Sequence, residues 1–172
     1  MRATVTAAAL VLTLAAGPAL AAKAVIAVTA LESGSSLGTI EAVDGKQGLV
    51  LKPKLFGLPA GPHGIHLHQN GDCSAKEQDG KLVPGLAAGG HFDPKGSSKH
   101  MGPWSEGGHQ GDLPALAVNG DGTATDPLVV PRLKVADLKG RAIVIHAGAD
   151  NYADEPKPLG GGGPRIACGI VK

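Results

Sequence analysis

The chain has 172 residues, enough for one domain with its own core. Its 16 Lys and Arg stand against 15 Asp and Glu, and the first 21 residues hold only Arg2, so beyond them the two signs balance. That balance argues against nucleic acid or an anionic membrane as the main partner and leaves any electrostatic work to local patches.

The chain opens on MRATVTAAALVLTLAAGPALA, with Arg2 ahead of an apolar stretch from Ala7 to Ala16 and the small-x-small triplet Ala19-Leu20-Ala21 at its end. This pattern predicts a signal peptide over residues 1–21, cut before Ala22. As a membrane anchor the stretch is too short, and Gly17-Pro18 interrupts it. The expected product is an exported, soluble domain over residues 22–172, with no membrane partner once the signal is removed.

Beyond that point Gly and Pro recur too often for long amphipathic helices, and short Val/Ile/Leu runs alternate with turn residues. The pattern predicts strands at Lys23–Leu31, Ser36–Val43, Gly48–Leu55, Gly64–Gln69, Leu113–Asn119, Thr123–Val130, Arg141–His146 and Arg165–Val171. Asp44-Gly45 and Asn119-Gly120-Asp121-Gly122 have turn chemistry. Eight such strands suit an all-β antiparallel Greek-key sandwich or flattened barrel of immunoglobulin-like architecture. With few aromatics, its core is built from Val, Ile, Leu and Ala. Two connections exceed hairpins: Asn70–Asp112 and Ala147–Pro164. The second contains Gly160–Gly163, which reads as a flexible loop because no Lys-Ser/Thr follows it.

The first long loop carries HFDPKGSSKHMGPWSEGGHQGD, in which His91, His100, His109 and Asp112 follow one another through residues without apolar periodicity. Three imidazoles and a carboxylate suit a closed, tetrahedral, structural zinc, and a bound ion would order such a loop. The alternative is a solvated loop that merely contains histidines. On the strand HGIHLHQ, His66 and His68 share one face while Ile65 and Leu67 share the other. His63, at the start of that strand, is less well placed and suits a hydrogen-bonding role that orients a ligand. In AIVIH, alternation puts Val144 and His146 opposite Ile143 and Ile145. Alone, His146 reads as a structural histidine. With His66, His68 and His91 it would complete an all-imidazole site, and copper stands highest in affinity for such ligands. Cys73 and Cys168, in an exported chain, favour a disulfide over two buried thiols. Their pairing would remove about 4–5 kcal/mol of unfolded-chain entropy.

Together, GIHLH with Cys73 following, AGGHFDPKGSSKH, GGHQGDLP, VIHAGAD and GGGGPRIACG resemble the copper/zinc superoxide dismutase family, most closely its bacterial periplasmic branch. The resemblance runs in order over essentially the whole chain after residue 21. It implies an oxidoreductase that converts superoxide anion to dioxygen and hydrogen peroxide in two half-reactions, as a periplasmic antioxidant defence. It implies one copper per subunit at His66, His68, His91 and His146, and one zinc at His91, His100, His109 and Asp112. His91 would then bridge the two ions, releasing copper and taking up a proton on reduction. Asp150 matches the aspartate that links a copper ligand to a zinc ligand, and Arg165 the arginine that receives the anion. Cys73 and Cys168 match the family's intrasubunit disulfide. Lys76, Lys81, Lys95, Lys99 and Lys157 could form a positive rim or simply be solvated. The segment Met101–Gly108, with Trp104, departs from the eukaryotic branch, so the choice between homodimer and monomer stays open. Two rivals remain: a copper-handling module without turnover, and a zinc-stabilised sandwich used only for binding. Hydrolytic zinc chemistry is weaker, since there is no HExxH motif.

Overall fold

The computed structural model describes residues 22–172, so the predicted signal peptide lies outside the described residues. Strands β1 (Lys23–Ala30), β2 (Ser36–Gly45) and β3 (Gly48–Leu55) form an antiparallel meander. Ile26, Val28, Ile40, Ala42, Leu49 and Leu51 turn inward and Val25 faces solvent, the alternation that a half-buried pleated strand imposes. The β2–β3 turn falls at Lys46-Gln47, beyond the expected Asp44-Gly45, because Gly45 still pairs with Gly48. Gly48 has φ 122° and lies too close to Val130 and Pro131 for a side chain.

The remaining elements are β4 (Gly61–His63), β5 (Ile65–His68), β6 (Lys76–Gln78), β7 (Lys81–Val83), β8 (Leu116–Val118), β9 (Leu128–Val130), helical turn α1 (Val135–Leu138), β10 (Ala142–His146) and β11 (Arg165–Ile170), with 3-10 turns at Leu86–Ala88 and Leu159–Gly161. The main sheet has the order β5-β10-β11-β1-β2-β3-β9, every pair antiparallel. From β3 the chain crosses to the far edge as β5, returns to pair β9 with β3, then crosses back to β10. This is a Greek-key exchange. A small β4–β8 sheet and a bridge between Leu55 and Ala124 accompany these crossings as the main sheet curls. One aliphatic core fills the curl, with Ile26, Ile40, Leu51, Leu67, Leu116 and Ile143 almost fully buried. Each such side chain contributes about 1.5–3 kcal/mol by its removal from water.

The all-β antiparallel expectation holds, with the strand list corrected in detail. Leu113–Asn119 and Thr123–Val130 shorten to β8 and β9, and the long first loop contains the β6–β7 hairpin. A disulfide joins Cys73 to Cys168, Cα to Cα 5.9 Å, and ties that loop to β11.

Candidate metal centre

β5 and β10 lie side by side, Val144 opposite His66 and Ala142 opposite His68. Ile65, Leu67, Ile143 and Ile145 enter the aliphatic core, while His66, His68, Val144 and His146 occupy the other face. That face is also buried, because the long loop folds over it. Two short bridges bolt the loop to β5: His68 pairs with His91, and His66 with Asp112. Phe92 N donates to Leu67 O at 2.8 Å, and Leu67 N to Gly111 O at 2.9 Å. The approach is so close that a side chain at Gly111 would collide with the Leu67 carbonyl. His91 and Asp112, 21 positions apart, thereby meet beside the strand pair.

Two adjoining clusters result: His66, His68, His91 and His146, and His91, His100, His109 and Asp112. Within each, one ligand atom per residue lies within 4.8 Å of the others, and all seven side chains belong to buried residues. The His91 ring is the hub, with centroids 3.9 Å from His66, 5.1 Å from His68, 5.3 Å from His100 and 5.2 Å from His109.

The hydrogen bonds decide which nitrogens are free. His68 Nδ1 faces Gly89 O at 2.8 Å, His146 Nδ1 faces Gly163 O at 3.0 Å, and His66 Nε2 faces Asp150 Oδ2 at 2.8 Å. Each contact takes the ring proton and leaves a lone pair on the opposite nitrogen. Those opposite atoms, His66 Nδ1, His68 Nε2 and His146 Nε2, are buried without a partner, as is His91 Nε2. Buried polar atoms are rarely orphaned, and four converging in one cluster are a metal-binding donor set.

In the second cluster, the Nδ1 atoms of His91, His100 and His109 lie 3.0, 2.9 and 3.3 Å from Asp112 Oδ1. His100 Nδ1 is that close yet makes no hydrogen bond. What points to an ion is the convergence of three imidazole nitrogens on one buried carboxylate oxygen, a four-donor set of the kind a tetrahedral zinc takes. His100 Nε2 reaches Asp150 Oδ1 at 2.8 Å. The buried Asp150 carboxylate therefore spans the two clusters through His66 and His100. A side chain at Gly160 would collide with Asp150 and His100, so Gly160 packs closely against the site within the 3-10 turn Leu159–Gly161, where the sequence reads as a flexible loop.

Protonation preferences follow burial and neighbours. Burial, then repulsion from His91, takes His66 down to about 3. His146 falls to about 4, again chiefly through burial, and His68 and His91 shift the same way. These imidazoles are held neutral, the form that binds metal. Burial also opposes charge on His100, but Asp112 and Asp150 outweigh it and raise His100 to about 9. Burial would raise Asp112 and Asp150, yet their imidazole hydrogen bonds hold both well below the usual carboxylate range.

Arg165, half-buried on β11, donates to Gly85 O and, at 2.7 Å, to Gly89 O. Gly89 O also meets His68 Nδ1, so the guanidinium stands one carbonyl away from the all-imidazole cluster. His63 is buried, with its ring nitrogens 2.7 Å from His146 O and 2.8 Å from Pro59 O. It steadies the backbone of His146 and lies outside both clusters. Lys76, Lys81, Lys95, Lys99 and Lys157 are exposed, and Lys95 reaches Glu106 at 3.4 Å. The carbonyls of Gly89 and Gly163 escaped sequence reasoning, because backbone acceptors carry no residue signal.

A curled antiparallel sheet bearing two buried donor clusters that share one imidazole defines a two-metal β protein. Residues 36–171 match the family "Copper/zinc superoxide dismutase (SODC)". The superoxide dismutase [Cu-Zn] of Pasteurella multocida is 57% identical over 142 residues, covering 82% of this chain and 76% of the relative. The Cu/Zn superoxide dismutase structure from Brucella abortus superposes with a TM-score of 0.85 at 42% identity, over 88% of this chain and all of that one. The monomeric copper, zinc superoxide dismutase from Salmonella enterica gives 0.78 at 46% identity, with the same coverage. This chain belongs to the copper/zinc superoxide dismutase family. Copper and zinc are the metals of that family, and both donor sets fit them.

Proposed function

We propose that this chain dismutes superoxide, with copper held by His66, His68, His91 and His146 and zinc by His91, His100, His109 and Asp112. The observation that carries this assignment is His91, whose Nδ1 faces the zinc-type cluster while its buried Nε2 stands unpartnered in the other. Copper supplies the one-electron chemistry that turns superoxide into dioxygen and hydrogen peroxide.

The chain's own residues do the rest. Gly89 O and Gly163 O hold His68 and His146 in the tautomers that present Nε2. Asp150 holds His66 with Nδ1 free and couples its position to His100. The second cluster offers four ligand atoms from four buried residues, the number a closed, structural zinc site takes. Arg165, locked by two carbonyls, is a fixed positive fork for a small anion. Substitution His91→Ala should uncouple the two metals and abolish most dismutation; full activity in that variant would refute the assignment.

The pattern of residues 1–21 and the disulfide Cys73–Cys168 support export to an oxidising compartment, the periplasm in a bacterium. Detection of a chain beginning at Ala22 in that compartment tests it. Trp104, 64% exposed beside Tyr152, is the candidate for contact with a second copy, the alternative being an aromatic that only covers the loop. The Salmonella enterica relative is described as monomeric, and sedimentation of this protein against Trp104→Ala decides between homodimer and monomer.

A further inference from the structure

The loop segment between His100 and His109 contains no strand or helix, yet Gly102, Pro103, Gly108 and His109 are buried. Their carbonyls need donors that regular structure does not supply. All four are met by one side chain from elsewhere, His109 O having besides it only a long contact from Asp112 N at 3.4 Å. Arg132 Nε donates to Pro103 O at 2.9 Å, Nη1 to Gly108 O at 3.3 Å, and Nη2 to Gly102 O at 3.1 Å and to His109 O at 2.6 Å. Four of the five guanidinium N–H groups are thus spent on one loop. Among the described residues no carboxylate pairs with Arg132. Gln110 Nε2 closes the contact by donating to Arg132 O at 2.9 Å.

The arginine itself is anchored on the sheet. It follows β9, which pairs with β3, and the next residue, Leu133, is buried and accepts from Leu49 N at 2.9 Å. The shortest of its bonds falls on the carbonyl of His109, whose Nδ1 faces Asp112 Oδ1.

We propose that Arg132 is a positioning residue for the zinc cluster: a sheet-anchored guanidinium that presets the backbone of His109 before metal arrives. The proposal rests on reading His91, His100, His109 and Asp112 as zinc ligands. A lysine cannot replace the fork, because a compact ammonium with three donors does not span four carbonyls.

The test uses the full protein loaded with both metals and compares parent, Arg132→Lys and Arg132→Ala. Zinc release to a chromophoric chelator is followed, together with the visible spectrum of Co(II) placed in the zinc cluster. Both variants should release zinc about tenfold faster or more, with an altered cobalt spectrum and unchanged copper content and circular dichroism. If Arg132→Ala does not fold, Arg132→Lys alone decides. Parental zinc release and cobalt spectrum in Arg132→Lys would overturn the proposal, as would equal acceleration of copper and zinc loss. His109→Ala runs alongside: parental zinc retention there would overturn the zinc reading itself, separately from any role of Arg132.

Discussion

Asp150→Asn tests the coupling between the two clusters with almost no change in shape. The carboxylate Oδ2 meets His66 Nε2 and Oδ1 meets His100 Nε2, both at 2.8 Å, and Oδ1 also accepts from Tyr152 N at 2.7 Å. An amide offers one oxygen where the carboxylate offers two. Whichever way it turns, one imidazole N–H then faces an N–H₂ group in a buried site. That imidazole is left with an unsatisfied donor, costing about 1–3 kcal/mol, or it moves its proton to Nδ1 and loses the lone pair that binds metal. Either outcome weakens one of the two metals by about 10–100-fold. Chelator competition read separately for copper and zinc on metal-free Asp150→Asn measures this. Parental affinity for both metals would refute the reasoning and reduce Asp150 to a loop cap on Tyr152.

Three further outcomes are expected. Arg165→Ala should lower kcat/KM for superoxide about tenfold or more while copper stays bound, and loss of copper instead would make the arginine structural. Replacing Cys73 and Cys168 by Ser should remove about 4–5 kcal/mol of stability for a closure spanning 95 positions, and an unchanged urea midpoint would contradict the entropic account. In metal-free protein, His66 and His146 titrate near 3 and 4 when folded against 6.5 when unfolded. Above pH 6.5 both states are neutral there; below it the unfolded chain takes up protons that the folded one refuses. Stability should therefore fall from pH 6.5 toward 4 by about 1.4 kcal/mol per pH unit for each such group. His100, raised to about 9, contributes with opposite sign: fully below 6.5 and fading as pH rises through 9. Urea midpoints of the metal-free protein that stay flat from pH 4 to 6.5 would contradict this.

The all-β antiparallel fold and the gathering of the histidines were legible in the sequence, and the short elements were not. Period-two alternation on GIHLH and AIVIH places His66, His68 and His146 opposite the aliphatic core, and the structure brings them together. His91 and Asp112 join them through backbone bridges to β5, which residue spacing alone does not determine. The β6–β7 hairpin was missed although Asp79-Gly80 is a hairpin turn with both residues at positive φ. Its flanks, Lys76–Gln78 and Lys81–Val83, lack the apolar alternation that marks a strand against a core. Helical turn α1 is too short to show a period, and its signal is the single contact from Lys134 N to Asp137 Oδ2. Arg132 left no trace because all its loop partners lie 23 to 30 positions away.

The central claim is a copper–zinc pair joined through His91, and it is tested by metal content and superoxide dismutation measured together on protein beginning at Ala22, made in an oxidising compartment and offered both metals. About one copper and one zinc per chain are expected, with fast, cyanide-sensitive turnover. Both metals without turnover would make the protein a copper-handling module, and zinc alone after copper is offered would contradict the all-imidazole copper site.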